Sequence, residues 1–84
     1  MPNTEDFKNE VEHQLSEAGK QGLPYIDLNS GNIHRSLGGY PGRNHRMKSC
    51  CAVMRSFMHG SDRIIDQPEK GDGASFTIRF LLPR

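Results

Sequence analysis

The densest run of chemically useful side chains is Tyr40-Pro41-Gly42-Arg43-Asn44-His45-Arg46, with Lys48 and Ser49 close behind it. A turn that feeds a helix N-terminus leaves backbone N–H groups pointing outward, and those donors favour an anion. Arg43 and Arg46 would flank such an anion with fork-shaped donors suited to phosphate oxygens. The chemistry on offer is a phosphate clamp, for nucleic acid or for a nucleotide. Plain chain reversal would use the same residues, with Tyr40 and Pro41 packed inward and the arginines solvated, so the run by itself leaves both readings open.

Other groups suggest different chemistry and fit it less well. His34, His45, Cys50 and Cys51 invite a metal, yet neither the Cys-x(2–4)-Cys nor the His-x(3–5)-His spacing occurs. Neighbouring helical positions point about 100° apart, so Cys50 and Cys51 could not readily share one tetrahedral ion. Asn44-His45-Arg46 superficially matches the central letters of an HNH nuclease, but residues 28–61 contain no carboxylate to hold a hard divalent ion. A thiol nucleophile is disfavoured because both cysteines lie on or near an apolar stripe. Two adjacent cysteines also cannot build a disulfide framework. No catalytic residue, metal or cofactor is expected.

Charge supplies the second clue. The chain has 84 residues and a formal net charge of +1, which conceals three unlike segments. Residues 1–27 carry six acids against Lys8 and Lys20, whereas residues 28–61 carry Arg35, Arg43, Arg46, Lys48 and Arg55 and no acid; residues 62–84 are balanced. An acid-free stretch with five fixed positive charges is a footprint for a polyanion, provided the acidic first segment does not fold against it and neutralise it. The length predicts a single domain, residues 1–84, with a thin core and no room for a cleft between domains. No run approaches the roughly 20 apolar residues that span a bilayer, and the first residues lack a signal-peptide pattern, so a cytoplasmic chain without a membrane partner is expected.

These groups must be positioned by a few short elements. Thr4 is the expected cap of a first helix over about Glu5 to Ala18, with Phe7, Val11, Leu15 and Ala18 at helical spacing and Gly19 as its left-handed terminus. Tyr25-Ile26-Asp27-Leu28 reads as a short strand, and Asn29 or Ser30 caps a short second helix through Ile33, His34 and Leu37. Asn44 is the expected cap of a third helix, closed by His59-Gly60. Its apolar face is Met47, Cys50, Cys51, Met54 and Met58, widened by Val53 and Phe57. At this spacing the methionines read as core rather than as a docking surface. The opposite face carries His45, Lys48, Ser49, Ala52, Arg55 and Ser56. Ile64 and Ile65 form a strand ended by Pro68, and Glu69-Lys70-Gly71-Asp72-Gly73 is a hairpin tip. Ser75 to Leu82 alternates, with Phe76, Ile78, Phe80 and Leu82 inward; its Thr77 and Arg79 face reads as an edge onto which a partner could add a strand.

This order is α+β: three helices with a short strand and a C-terminal β-hairpin. It resembles a winged helix-turn-helix domain, a likeness of element order that covers nearly the whole chain. The resemblance implies that the third helix enters the DNA major groove while the hairpin touches the backbone or minor groove. Carried over by position, the third helix would present Arg46, Lys48, Ser49, Ala52 and Arg55, and the hairpin tip Lys70. The connection from Leu37 to Asn44 is longer than a tight helix-turn-helix turn, which departs from the standard docking. The string His34-Arg35, Gly38-Gly39-Tyr40-Pro41-Gly42, Asn44-His45-Arg46-Met47, Cys50-Cys51, Val53-Met54, with Gly73-Ala74-Ser75 and Thr77-Ile78-Arg79 downstream, is also similar to a small bacterial domain without an assigned activity. That domain occurs in stand-alone short proteins and beside some HNH or restriction-type nucleases, which implies a nucleic-acid context without a reaction.

The leading expectation is a non-enzymatic module binding nucleic acid, duplex DNA foremost, through Arg43, Asn44, His45, Arg46, Lys48, Ser49, Arg55 and Lys70. The alternative is a protein-interaction or accessory domain of a larger nuclease or restriction system, docking on a protein partner or as a homodimer.

Overall fold

The computed structural model describes residues 3–38 and 46–83. Six elements follow in the order α1 (Thr4–Lys20), β1 (Tyr25–Asn29), α2 (Ser30–Leu37), α3 (Met47–Ser56), β2 (Arg63–Asp66) and β3 (Thr77–Leu81). The class is α+β, with three helices and one three-stranded antiparallel sheet of order β1-β3-β2. The short first strand is therefore not a separate piece; it pairs with the last strand in the same sheet as the hairpin. β3 lies in the middle, so its Thr77 and Arg79 positions are not the free edge that alternation suggested. The edges are β1 and β2.

Local chemistry accounts for the helix ends. Asn3, rather than Thr4, caps α1: its side chain accepts from the Asp6 N–H at 2.9 Å while the Asp6 carboxylate accepts from the Asn3 N–H at 2.9 Å, a reciprocal capping box. The helix runs through Gly19 to Lys20, and the left-handed residue that ends the segment is Gly22, at φ 73°. Asn29 caps α2 by accepting from the Asn32 N–H at 3.0 Å. α3 is shorter than its apolar stripe predicted, ending at Ser56 instead of His59-Gly60. The expected cap Asn44 lies outside the described residues, as do Arg43 and His45.

One core joins the elements. Phe7, Val11 and Leu15 of α1, Leu28 of β1, Ile33 of α2, five residues of α3 (Met47, Cys50, Cys51, Val53, Met54), and Phe76, Ile78 and Phe80 in and beside β3 are all buried. The methionine and cysteine stripe is thus core, as helical spacing implied; Phe57 and Met58 pack at its margin. The inward residues of β1 and β3 meet in register, Leu28 opposite Ile78 and Ile26 opposite Phe80. On the outer face Asp27 lies opposite Arg79 and takes both of its donors, at 2.9 and 3.1 Å, while the Arg79 guanidinium stacks 4.2 Å above the Tyr25 ring.

Candidate polyanion-binding cleft

The first turn of α3 and the β2–β3 connection face each other across a cleft of about 590 Å³, lined by Arg46, Met47, Lys48 and Ser49 on one side and Lys70, Asp72, Gly73 and Ala74 on the other. Four expected contact residues, Arg46, Lys48, Ser49 and Lys70, therefore come together from two distant parts of the chain. Arg46 and Lys48 are exposed and Ser49 is half-buried. Arg46 occupies the N-cap position of α3, where its carbonyl accepts from the Cys50 N–H at 3.0 Å and its side chain makes no capping bond.

The cleft is held open by bonds that sequence reading did not find. His34 is fully buried in α2, with its ring 5.1 Å from that of Phe7, edge to face. Its Nε2 accepts from the Arg46 N–H at 2.9 Å, and its Nδ1–H donates to the Gly38 carbonyl at 3.1 Å. A neutral ring with its proton on Nδ1 satisfies both bonds. One side chain thereby ties the end of α2 to the start of α3 and sets where Arg46 begins the cleft wall. His34 had suggested a metal by residue type; among the described residues no group of three or more His, Cys, Asp or Glu side chains could hold an ion.

The opposite wall is anchored at several points. The Ser30 N–H donates to the Phe76 carbonyl at 2.9 Å and the Gly31 N–H to the Ala74 carbonyl at 3.2 Å, so the start of α2 is laid directly on the connection. The Ser30 hydroxyl and the Cys51 thiol both donate to the Gly73 carbonyl, the latter at 3.7 Å. Gly31 permits this approach: a Cβ there would stand 2.8 Å from the Ala74 carbonyl oxygen. A glycine inside a helical pattern is a recognisable flag for such close contact. Lys70 is carried by a turn in which the Gly71 N–H donates to the Pro68 carbonyl at 2.8 Å, with Gly71 at φ 91°.

Arg55 has a structural task on this wall. Its guanidinium donates to the Asp72 carboxylate at 2.6 Å and to the Gly71 carbonyl at 2.7 Å, and it lies 4.5 Å above the Phe76 ring. It clamps the connection that carries Lys70 and at the same time neutralises Asp72, the single carboxylate that lines the cleft among the described residues. Among the described residues the ion pair of α1 is its own Glu17–Lys20, and no α1 carboxylate forms an ion pair with a described cation of residues 28–61.

No protein-family model, curated protein or solved structure matches the chain. The thiols behind it are not poised to react: burial, with a smaller contribution from neighbouring Cys51, pushes the Cys50 thiol up to about 12, and burial likewise raises Cys51. Both are free and buried. No helix among the described residues is long and apolar enough to cross a membrane.

Proposed function

We propose that the chain is a non-enzymatic nucleic-acid-binding module, winged-helix-like in its order of elements, that takes the phosphate backbone of duplex DNA against the cleft between α3 and the β2–β3 connection. The observation that carries this reading is the convergence of Arg46, Lys48 and Lys70 on one cleft where the only lining carboxylate among the described residues, Asp72, is already paired with Arg55. The amides of Lys48 and Ser49 belong to the first turn of α3, where helical geometry supplies no internal partner and the helix dipole favours negative charge. The Arg43-Asn44-His45 run leads into the same helix end in sequence and extends the proposed contact. With a net charge of only +1, steering is local, and binding is moderate and strongly dependent on salt.

Fluorescence anisotropy with a labelled duplex at two salt concentrations tests the proposal. Affinity should fall steeply with salt, and Arg46→Ala or Lys70→Ala should each lower the slope of log affinity against log salt by roughly one. Absence of binding at low salt, or binding indifferent to salt, would sink the reading.

A further inference from the structure

We propose that β2 is the surface through which two copies of this chain associate, pairing edge to edge as antiparallel strands about a two-fold axis. β2 lies at the edge of the sheet, and all four of its residues are exposed, Ile64 by 40% and Ile65 by 45%. An edge strand offers a row of backbone donors and acceptors to any strand that can lie beside it. What selects a second copy is the order of side chains. Arg63-Ile64-Ile65-Asp66 reads basic, apolar, apolar, acidic, so the same four residues run antiparallel set each charge against its opposite and isoleucine against isoleucine.

The register of the strand makes the pairing of charges geometrically consistent. A two-fold axis perpendicular to the sheet keeps every side chain on its own face, so two residues can oppose each other only if they share a face. In a regular strand Arg63 and Asp66, three positions apart, would lie on opposite faces. Here the register shifts between Ile64 and Asp66: Arg63 is opposite Arg79 and Asp66 is opposite Thr77, two positions that alternate with inward Ile78 and so lie on the outer face. The bulge thus brings both charges to one side. Among the described residues neither Arg63 nor Asp66 forms an ion pair within its own chain, and the carboxylate nearest in the sheet, Asp27, is already committed to Arg79. A partner copy supplies the missing counter-charge by bringing its Asp66 carboxylate to Arg63, twice per dimer. The balanced charge of β2 is also unsuited to a polyanion, which separates this surface from the cleft.

Four residues a side bury less than the 1,200–2,000 Å² typical of stable complexes, so the association is weak, with a dissociation constant on the order of 100 μM. Sedimentation equilibrium on the full chain, up to about 1 mM, reads it directly. Wild type should rise from the mass of one copy toward that of two. Arg63→Asp and Asp66→Arg each place like charges at both contacts and should weaken self-association at least tenfold, while an equimolar mixture of these two variants restores complementarity and should dimerise like wild type. Ile65→Lys should also be monomeric. Circular dichroism confirms that each variant remains folded. A wild type monomeric throughout, charge variants that associate unchanged, or a mixture that stays monomeric would each overturn the proposal, pointing instead to another surface or to a different strand partner.

Discussion

The imidazole of buried His34 accepts the backbone N–H of Arg46 at 2.9 Å, across twelve residues of chain. Through its other nitrogen it holds the Gly38 carbonyl, so one ring fixes both flanks of residues 39–45. The polar tip is satisfied while the ring packs on Phe7, which is how a fully buried imidazole avoids a desolvation penalty.

His34→Phe keeps the ring volume and the aromatic contact but removes the acceptor and the donor. It should cost about 2 kcal/mol of stability, because the Arg46 N–H and the Gly38 carbonyl lose their buried partner. Chemical denaturation measures the loss, and amide hydrogen exchange at Arg46 should accelerate beyond what the global loss explains. An Arg46 amide as protected as in wild type would show that the bond does not set the start of α3.

Arg55→Ala tests the clamp. Losing the Asp72 bond, the Gly71 bond and the stacking on Phe76 should lower stability by about 1 kcal/mol, a figure discounted because the pair is partly solvated. Asp72→Ala leaves Arg55 free to contact phosphate and removes the cleft carboxylate, so it should bind duplex more tightly than wild type while Arg55→Ala binds more weakly. An Asp72→Ala variant that binds duplex more weakly than wild type would mean that the Arg55–Asp72 clamp on the Lys70 turn matters more to binding than the charge it neutralises.

Gly31→Ala should be costly for a helix position where alanine is ordinarily favourable. Intrinsic propensity would gain roughly 1 kcal/mol, but the new Cβ meets a backbone carbonyl at 2.8 Å, which is not the flexible end of a side chain. A net loss of about 1–3 kcal/mol is expected, read as a lower melting temperature. A stabilised variant would show that α2 can move off the connection without penalty.

Asp27 predicts a pH dependence. The hydrogen bond from Arg79, reinforced by its charge and only partly opposed by burial, holds the Asp27 carboxyl below its ordinary 3.8. The native chain therefore takes up this proton later than the unfolded chain, so the stabilisation is fully present above 3.8 and is lost as pH falls through the lowered native value. Melting temperatures of wild type and Asp27→Asn should differ at neutral pH and converge in strong acid. A gap that persists after both carboxylate states are protonated would assign the effect to packing.

The elements and their inward faces were readable from the sequence because burial imposes a period. Phe7, Val11, Leu15 and Ala18 on α1, the Met47 to Met54 stripe on α3, and Phe76, Ile78 and Phe80 beside and in β3 repeat at helical or strand spacing and are buried. The acid-free basic segment and Lys70 were readable by counting charges. Periodicity says which face is inside and nothing about which strand sits next to which, so alternation alone points to β3 as an edge although it is central. Where α1 and α3 end was likewise decided by particular capping bonds and packing rather than by the length of the apolar stripe.

By itself, then, the sequence determined three helices, a short strand, a C-terminal β-hairpin and a basic middle with an acidic start, since each follows from residue types at local spacing. Tertiary structure alone decided which charges act together. It seated Lys70 across from Arg46 and Lys48, turned Arg55 from the solvent face of its helix onto Asp72, buried His34 between two helix ends, and brought Arg63 and Asp66 to one face of an edge strand. Those outcomes depend on contacts between residues more than ten positions apart and, for Arg63 and Asp66, on a bulge defined by the partner strand. A charge reads the same in sequence whether it will meet solvent, a carboxylate or a ring, and only the fold supplies its neighbour.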